Sequence, residues 1–368
     1  MRHNDIDRRD FLKAAGAAAI GAAAGPALGA GSLPEGSLSM PQAAKPAVRF
    51  GLDLYSLQSQ TWTPIQYLDQ CAKWGVKVVH FSEIRFIGGL DAANLRAVRA
   101  HADTLNLELE IGMRSLCPTS AMFDKNAGTF DEQLDKMLAA AKIVRSPIVR
   151  CVLGSAADRR GDGGIDRHID AMAGAFKSAR SRIADAGVKM AIENHAGDMQ
   201  ARELKRLVEA AGPDIVGVCI DSGNPVWTIE DPHLTLDTLA PYVLTSHMRD
   251  SALWMTPQGI ASRWTRMGDG NMGMEDYIRT YVQKCPGKAV SLEVIVSANP
   301  RISNYRDPQF WDLYRTTPAW EFARFLALAE KGTPSVEKPR EPTETAAQRQ
   351  LADCEASVKW TKAFLEKL

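Results

Sequence analysis

The sequence lacks a net charge, a close pair of cysteines and a hydrophobic run suited to spanning a membrane. Its 44 basic residues balance its 44 acidic residues, so no charge surplus favours binding to nucleic acid or to an anionic membrane. The six cysteines are too widely separated for a disulfide framework or a zinc finger, at positions 71, 117, 151, 219, 285 and 354. The remaining composition is that of a soluble globular protein of 368 residues, 45% hydrophobic and 24% charged.

The N-terminus has the pattern of an export signal. Arg8 and Arg9 precede Phe11, and a weakly hydrophobic run of alanine and glycine then extends to about Ala30. This pattern resembles a twin-arginine signal peptide, the alternative being an alanine-rich helix of the fold. We expect residues 1–30 to be the signal and 31–47 to be a linker rich in glycine, serine and proline. The protein is then periplasmic or otherwise exported, with no membrane attachment after processing.

From residue 48 onward, short runs rich in β-branched residues alternate with longer helical patterns. Consecutive runs begin 27 to 46 residues apart, which leaves room for a crossover helix after each strand. The sequence therefore predicts an α/β fold, a (β/α)₈ TIM barrel over residues 48–330. A doubly wound sheet is the alternative, but no glycine-rich phosphate loop follows the first strand. The eight predicted strands are 48–55, 76–82, 107–113, 147–154, 189–195, 216–221, 243–248 and 289–295.

The C-terminal part of the sequence predicts further helices. Residues 307–330 have the pattern of helices that close the barrel, and a proline-rich linker at 333–343 follows. We expect residues 331–368 to form this linker and a final amphipathic helix. Its apolar face either docks on its own domain or joins two copies of the chain in a homodimer or larger homo-oligomer. That face consists of Leu351, Cys354, Val358, Thr361, Leu365 and Leu368.

Four consecutive predicted strands end in a residue that can bind a metal ion. Strands five to eight finish with Glu193, Asp221, His247 and Glu293, at the end of a TIM barrel where active sites lie. Glu193 and Glu293 stand in otherwise apolar strands, where an unpaired carboxylate is costly. Binding one divalent cation removes that cost. Three carboxylates and an imidazole suit Mn²⁺ first, with Co²⁺, Mg²⁺ and Zn²⁺ as further options.

Several short motifs surround these residues in a known order. They are the first-strand segment GLDLYSL, Asp221-Ser-Gly-Asn224, His247-Met-Arg249-Asp250, and Gly268-Asp-Gly270 followed by Met274-Glu-Asp276. Together they resemble the sugar phosphate isomerase/epimerase superfamily, the xylose isomerase-like TIM barrels that include D-tagatose 3-epimerase. The resemblance covers about residues 48–330. It implies that one metal ion is held by Glu193, Asp221, His247 and Glu293.

The resemblance also implies a reaction in which the metal ion stabilises an enediolate of the substrate. In that reaction Glu193 and Glu293 serve both as ligands and as the acid/base pair. We expect four residues to bind the substrate: His195, Asn224, Arg249 and Trp254. Each has a structural alternative, namely a carboxylate partner for His195, a turn for Asn224, pairing with Asp250 for Arg249, and packing for Trp254. His80 and Arg114, near other strand ends, are weaker candidates for the pocket.

We therefore predict a metal-dependent isomerase or epimerase of a non-phosphorylated sugar or keto-sugar. Sugar phosphates are cytoplasmic metabolites, whereas an exported enzyme meets free sugars. Asn224 and Leu253 stand where some ketose epimerases have a histidine and an arginine, so ketose specificity is not carried over. The alternatives are a lyase that acts on a 3-keto sugar derivative by β-elimination or decarboxylation, and a non-catalytic sugar-binding barrel. A DNA endonuclease with three zinc ions needs more histidines than the seven present, so nucleic acid is not an expected partner.

Overall fold

Eight parallel strands form a barrel in chain order. The computed structural model describes residues 48–335 and 343–368, and the barrel strands are paired in the order β10-β1-β2-β3-β4-β5-β6-β7. Within the described residues the strands are β1 Phe50–Asp53, β2 Val78–Phe81, β3 Glu108–Ser115, β4 Ile148–Val152, β5 Lys189–Glu193, β6 Val216–Asp221, β7 Val243–His247, β8 Asp250–Thr256, β9 Gly259–Thr265, β10 Val290–Leu292 and β11 Arg301–Ser303.

The gap between β7 and β10 is closed by Met248. Its amide donates to the carbonyl of Ser291 at 2.7 Å, and the amide of Glu293 donates to the carbonyl of Met248 at 3.0 Å. All eight predicted barrel strands are present, with bounds that differ by a few residues. The predicted (β/α)₈ TIM barrel is confirmed, because an alternation of strand and helix in chain order builds this closed parallel sheet.

Helices cover the outside of the barrel, and several begin at capping boxes. Thr63, Thr129 and Thr345 each accept a hydrogen bond from the amide of the third helical residue, and the side chain of that third residue accepts one from the threonine amide. The largest buried apolar cluster joins strand residues such as Leu52 to helix residues such as Phe176. The helices are α1 Pro64–Lys73, α2 Ala92–Thr104, α3 Phe130–Val144, α4 Gly164–Ser178, α5 Arg180–Asp185, α6 Ala201–Ala211, α7 Pro232–Leu239, α8 Met274–Lys284, α9 Ala319–Glu330 and α10 Ala346–Leu365.

A small antiparallel sheet, which the sequence analysis did not predict, lies beside the barrel. It has the order β11-β9-β8 and begins three residues after His247. Phe325 of α9 packs against Leu253 and Ile260 of this sheet in an apolar cluster of its own. The expectation that residues 307–330 close the barrel is therefore wrong in part: helices do form there, but α9 covers the small sheet.

The C-terminal helix α10 docks on its own chain. Cys354 and Val358 are buried in the main apolar cluster, and the ammonium of Lys362 donates to the carbonyl of Trp74 at 2.9 Å. The docked face is the amphipathic face expected from the sequence, while a homo-oligomer stays a prediction. The expected signal at 1–30, the linker at 31–47 and most of the linker at 333–343 lie outside the described residues. Among the helices of the described part, none combines the length and the apolar character that a membrane crossing needs.

Candidate metal centre

Barrel strand ends bring the four predicted metal ligands together. Glu193, Asp221 and His247 are the last residues of β5, β6 and β7, and Glu293 follows β10 directly. All four are buried. One ligand atom from each lies within 4.8 Å of the other three. Parallel register explains the convergence, because Asp221 is paired with His247 across neighbouring strands.

The spacing and chemistry of these atoms fit a divalent cation. Opposite ligands of an ion with bonds of about 2.1 Å lie about 4.2 Å apart, so the four atoms need only a small inward shift. Nδ1 of His247 lies 3.0 Å from Glu193 Oε2 and 3.1 Å from Glu293 Oε2. It contacts both oxygens at ion-pair distance, but this buried nitrogen makes no hydrogen bond in the described residues. A buried imidazole between two carboxylates is a typical metal-ligand arrangement.

Two arginines neutralise part of the charge of this cluster. Nε of Arg150, which comes from β4, donates to Glu193 Oε2 at 2.6 Å. Nε of Arg249 donates to Asp221 Oδ2 at 2.8 Å, and its Nη2 contacts the same oxygen and Glu293 Oε2, the latter at 2.6 Å. Sequence analysis did not single out Arg150. Its signal was a charged residue inside an otherwise apolar strand, the same signal that identified Glu193.

Arg249 does not pair with Asp250, so that structural alternative is wrong. Successive side chains of an extended chain point to opposite sides. The Asp250 carboxylate accepts from the amides of Gly268 and Gly270 at 2.9 and 3.0 Å. It therefore holds the glycine turn in place, while Arg249 faces the metal ligands.

The guanidinium groups keep both glutamates ionised. Burial acts to raise the pKa of Glu193, but the Arg150 guanidinium and the His247 ring outweigh it and hold that pKa well below its usual range. Burial likewise acts to raise the pKa of Glu293, and Arg249 and His247 bring about a net lowering. Both side chains are therefore carboxylates at neutral pH.

Asp221 and His247 are shifted the other way. Burial raises the pKa of Asp221 to about 7, even though Arg249 lowers it, and the nearby charges of Glu193 and Glu293 add to the increase. Burial alone would lower the pKa of His247, but the surrounding carboxylates raise it well above its usual range. Without a metal ion, the imidazole is thus one of the cations of this cluster.

A tight turn after β6 presents Asp221. The amides of Gly223 and Asn224 donate to Asp221 Oδ1 at 2.7 and 2.8 Å, which fixes the carboxylate and leaves Oδ2 for a cation. A side chain at position 223 would place its Cβ 2.8 Å from the Cβ of Arg249, so the close approach requires glycine. This is the Asp-x-Gly-Asn turn that the sequence analysis singled out.

A cavity of about 230 Å³ opens onto the cluster, and three of the four predicted substrate-binding residues line it. These three are His195, Asn224 and Arg249. Nδ1 of His195 lies 2.8 Å from the carbonyl of Gly154, and since a carbonyl only accepts, Nδ1 carries the proton and Nε2 is an acceptor. The other lining residues are Tyr55, Ser82, Glu83, Arg114, Met122, Arg150, Val152, Ala196, Trp264, Glu293 and Ile295.

Asn224 links this cavity to the ligands. Its Nδ2 donates to Glu193 Oε1 at 3.1 Å, and its Oδ1 is buried without a hydrogen-bond partner in the described residues. A buried acceptor of this kind is costly unless a ligand donates to it. Burial lowers the pKa of His195, which leaves that ring neutral. The two side chains therefore offer hydrogen-bond acceptors to the cavity.

The tryptophan of this cavity is Trp264, not Trp254. Trp254 packs with Ala252 and Ala261 on the small sheet and is absent from the cavity lining, so its predicted substrate role is not supported. The Trp264 ring lies 4.4 Å from the guanidinium carbon of Arg249, and its Nε1 donates to the carbonyl of Gly223 at 2.9 Å. Trp264 was not among the predicted residues because the strand that carries it, β9, was not predicted.

Two known families match parts of the chain. The family described as xylose isomerase-like TIM barrel matches residues 68–309, about two thirds of the chain. The twin-arginine translocation signal matches residues 5–30. The chain is therefore exported by the twin-arginine pathway, as the sequence predicted.

Related proteins match the chain at low identity. A 3-oxo-isoapionate decarboxylase of Pectobacterium atrosepticum is 23% identical over 185 residues, 50% of this chain and 60% of the relative. The uncharacterised protein YihM of Escherichia coli is 27% identical over 199 residues, 54% of this chain and 55% of the relative. The chain thus spans less than two thirds of the length of these relatives.

Solved structures share the fold. D-psicose 3-epimerase of Clostridium cellulolyticum H10, solved with D-tagatose, has a TM-score of 0.55 at 12% identity over 86% of this chain and 99% of that one. L-ribulose 3-epimerase has a TM-score of 0.56 at 14% identity, covering 87% and 95%. The IolI protein, solved with a zinc atom, has a TM-score of 0.52 at 11% identity, covering 87% and 98%. Because the family match covers more than half of the chain and agrees with the barrel, this chain belongs to the xylose isomerase-like TIM barrel family.

Proposed function

We propose that this exported protein is a metal-dependent isomerase or epimerase of a non-phosphorylated sugar or keto-sugar. The observation that carries the proposal is the buried convergence of Glu193, Asp221, His247 and Glu293 beside a polar cavity of sugar size. Fold neighbours that act on free ketoses support it. Mn²⁺ is the first choice for the metal on the chemistry of the donor set, and a zinc atom in one neighbour keeps Zn²⁺ among the options.

The ligand residues also supply the proton transfer. A divalent cation at this centre would polarise a substrate carbonyl and a neighbouring hydroxyl and so acidify the C–H between them. Glu293 lines the cavity, and Glu193 contacts Asn224 and Arg150, which line it too. Both glutamates are ionised, so each can take a proton from carbon and return it. His195 and Asn224 orient the substrate by accepting hydrogen bonds from its hydroxyl groups.

A decarboxylating lyase is the second candidate, and the arginines of the cavity favour it. Arg114, Arg150 and Arg249 all line the space in which the substrate binds. Guanidinium groups bind carboxylates in two-pronged fashion. Arg150 and Arg249 already pair with carboxylates of the cluster, so Arg114 is the member of this wall that suits the carboxylate of a keto-sugar acid. The 3-oxo-isoapionate decarboxylase relative agrees with that substrate class. The same carbonyl polarisation would then stabilise the carbanion left by loss of CO₂.

Deuterium exchange distinguishes the candidates. Protein comprising residues 31–368 is loaded with Mn²⁺ and incubated in D₂O with free ketoses and with 3-keto sugar acids, next to a His247→Ala variant. Carbon-bound deuterium in an epimer or isomer, absent with the variant, supports the proposed reaction. Release of CO₂ without epimer formation supports the lyase. About one metal ion per chain without turnover of either class would indicate a sugar-binding barrel, and no bound metal would overturn the proposal.

A further inference from the structure

We propose that the Arg249 guanidinium is a built-in counter-cation of the metal centre, which a divalent metal ion must displace from Asp221 and Glu293 in order to bind. Arg249 then sets the metal affinity. This inference rests on the proposed function, because it concerns the same four ligands.

The guanidinium stands among the ligand oxygens. Nη2 of Arg249 contacts Asp221 and Glu293, and it lies 3.8 Å from Glu193 Oε1. A single nitrogen thus approaches all three carboxylates of the ligand set. Arg249 is itself buried, so its charge is not shared with bulk water.

The lone pairs that a metal ion needs are already in use. Asp221 Oδ1 accepts from the amides of Gly223 and Asn224, and Oδ2 accepts from both Nε and Nη2 of Arg249. The Glu293 oxygen that contacts His247 also accepts from Arg249. Metal binding through Asp221 and Glu293 therefore breaks charge-assisted hydrogen bonds to the arginine. The lost contacts weaken metal binding relative to the same ligands without a cation among them.

Arg150 does not compete in the same way. It binds Glu193 alone among the ligands, and its Nη1 is also held by the carbonyl of Met113 at 3.2 Å. Arg249 has no such backbone acceptor for its guanidinium in the described residues, and its other neighbour is the ring of Trp264. The guanidinium is thus attached to the centre by the contacts that a metal ion replaces.

Trp264 provides a reporter of the displacement. Its ring is fixed by the hydrogen bond to Gly223 and by stacking on Trp227, with ring centroids 4.6 Å apart. A cation that leaves the ring face changes the field at the indole, and hence its emission. Zn²⁺ or Mg²⁺ is the suitable probe, because neither quenches fluorescence by paramagnetism.

The test measures metal affinity rather than turnover. Arg249→Met removes the charge and keeps an unbranched, flexible but shorter side chain, and Arg114→Met is the matched control at the exposed wall of the cavity. By calorimetry on metal-stripped protein, we expect Arg249→Met to bind Mn²⁺ at least tenfold more tightly than wild type, and Arg114→Met to stay within twofold. In wild type, Zn²⁺ should shift tryptophan emission, and Trp264→Phe should lose that shift.

The outcomes separate this inference from the proposed function. Equal or weaker Mn²⁺ binding by a folded Arg249→Met variant overturns the inference while leaving a metal-dependent enzyme. Metal binding by Arg249→Met but not by wild type supports the inference and overturns the metal-dependent function. Binding by neither protein overturns both. If Arg249→Met does not fold, the emission experiment decides: a Zn²⁺ shift that survives in Trp264→Phe, or no shift while Zn²⁺ binds, overturns the displacement.

Discussion

The barrel and the small antiparallel sheet contribute different parts of one centre. Barrel strand ends provide the ligands, with Asp221 and His247 fixed opposite each other by parallel register. The small sheet provides Trp264, whose ring lies against the guanidinium of Arg249. The ligands thus depend on backbone register, whereas the cation between them depends on side-chain packing from a second layer. Changes in the barrel should abolish the centre, and changes in the sheet should only tune it.

The largest effect is expected from a ligand on the barrel side. Glu193→Gln keeps the size of the side chain but removes its charge, so it can neither accept a proton from carbon nor bind a cation strongly. We expect kcat/KM to fall about a thousandfold, within the range for loss of a general base. Steady-state kinetics with metal analysis measures this, and Glu230→Gln, a buried carboxylate outside the cavity, is the control. Wild-type activity in Glu193→Gln would contradict the assigned role.

A core substitution under the small sheet tests whether the two layers are separable. Phe325 is fully buried against the sheet, and Phe176 is fully buried against the barrel. Replacing either with alanine should lower the free energy of unfolding by about 3 to 5 kcal/mol. Only Phe325→Ala should also alter Trp264 emission, because Trp227 packs in its cluster and stacks on Trp264. Urea unfolding and fluorescence measure both quantities, and equal emission changes in the two variants would argue for one coupled layer.

A buried carboxylate of the barrel layer should make stability depend on pH. Burial raises the pKa of Glu230 to about 7, although Thr235 and the amide of Ala201 donate to it and lower that pKa. Between the unfolded and folded pKa values, the native state binds this proton and the unfolded state does not. The contribution of Glu230 to the free energy of unfolding therefore falls as pH rises from about 4.5 to 7. The free energy of unfolding of Glu230→Gln, relative to that of wild type, should increase by about 2 to 3 kcal/mol between pH 5 and pH 8.

Unfolding curves at several pH values check this expectation. A difference between the two proteins that does not change with pH would mean that Glu230 titrates normally in the folded state. Thr238→Ala, which removes a hydroxyl that donates only to the carbonyl of Leu234, is a control on α7, the helix that carries Thr235. Its effect should be independent of pH.

Sequence periodicity was sufficient for the barrel but not for the small sheet. The barrel strands are apolar, β-branched and evenly spaced, and each ends at the same edge, so the convergence of the four candidate ligands could be predicted from their positions alone. Between β7 and β10, the sequence motifs drew attention to the glycine turn at Gly268 and Gly270. The hairpin before that turn was missed, although Pro257 and Gly259 separate two partly apolar stretches in a manner typical of a hairpin.

The missed hairpin explains two differences between the expected and the observed site, which concern the tryptophan of the cavity and the partner of Arg249. Without strands β8 and β9, the sequence did not indicate that Trp254 lies on the small sheet whereas Trp264 lines the cavity. Pairing with Asp250 was the structural alternative for Arg249 because the two are adjacent in sequence, but extended geometry sends them to opposite sides. The contacts of Arg249 with Asp221 and Glu293 join strands far apart in sequence, so no local pattern predicts them.

The smallest effect concerns the helix that lies across both layers. Arg266, just after β9, pairs with Asp353 of α10. The same helix is held to the barrel by Lys362, which donates to the carbonyl of Trp74. Asp353 is nearly buried and Arg266 about a quarter exposed, so we expect a double-mutant cycle to give a coupling of about 1 kcal/mol. The exposed pair of Lys284 and Asp237 should give at most about 0.5 kcal/mol. Urea unfolding measures both couplings. Equal couplings would mean that the Arg266–Asp353 pair does not attach α10 to the small sheet, and that α10 is held by its contacts with the barrel alone.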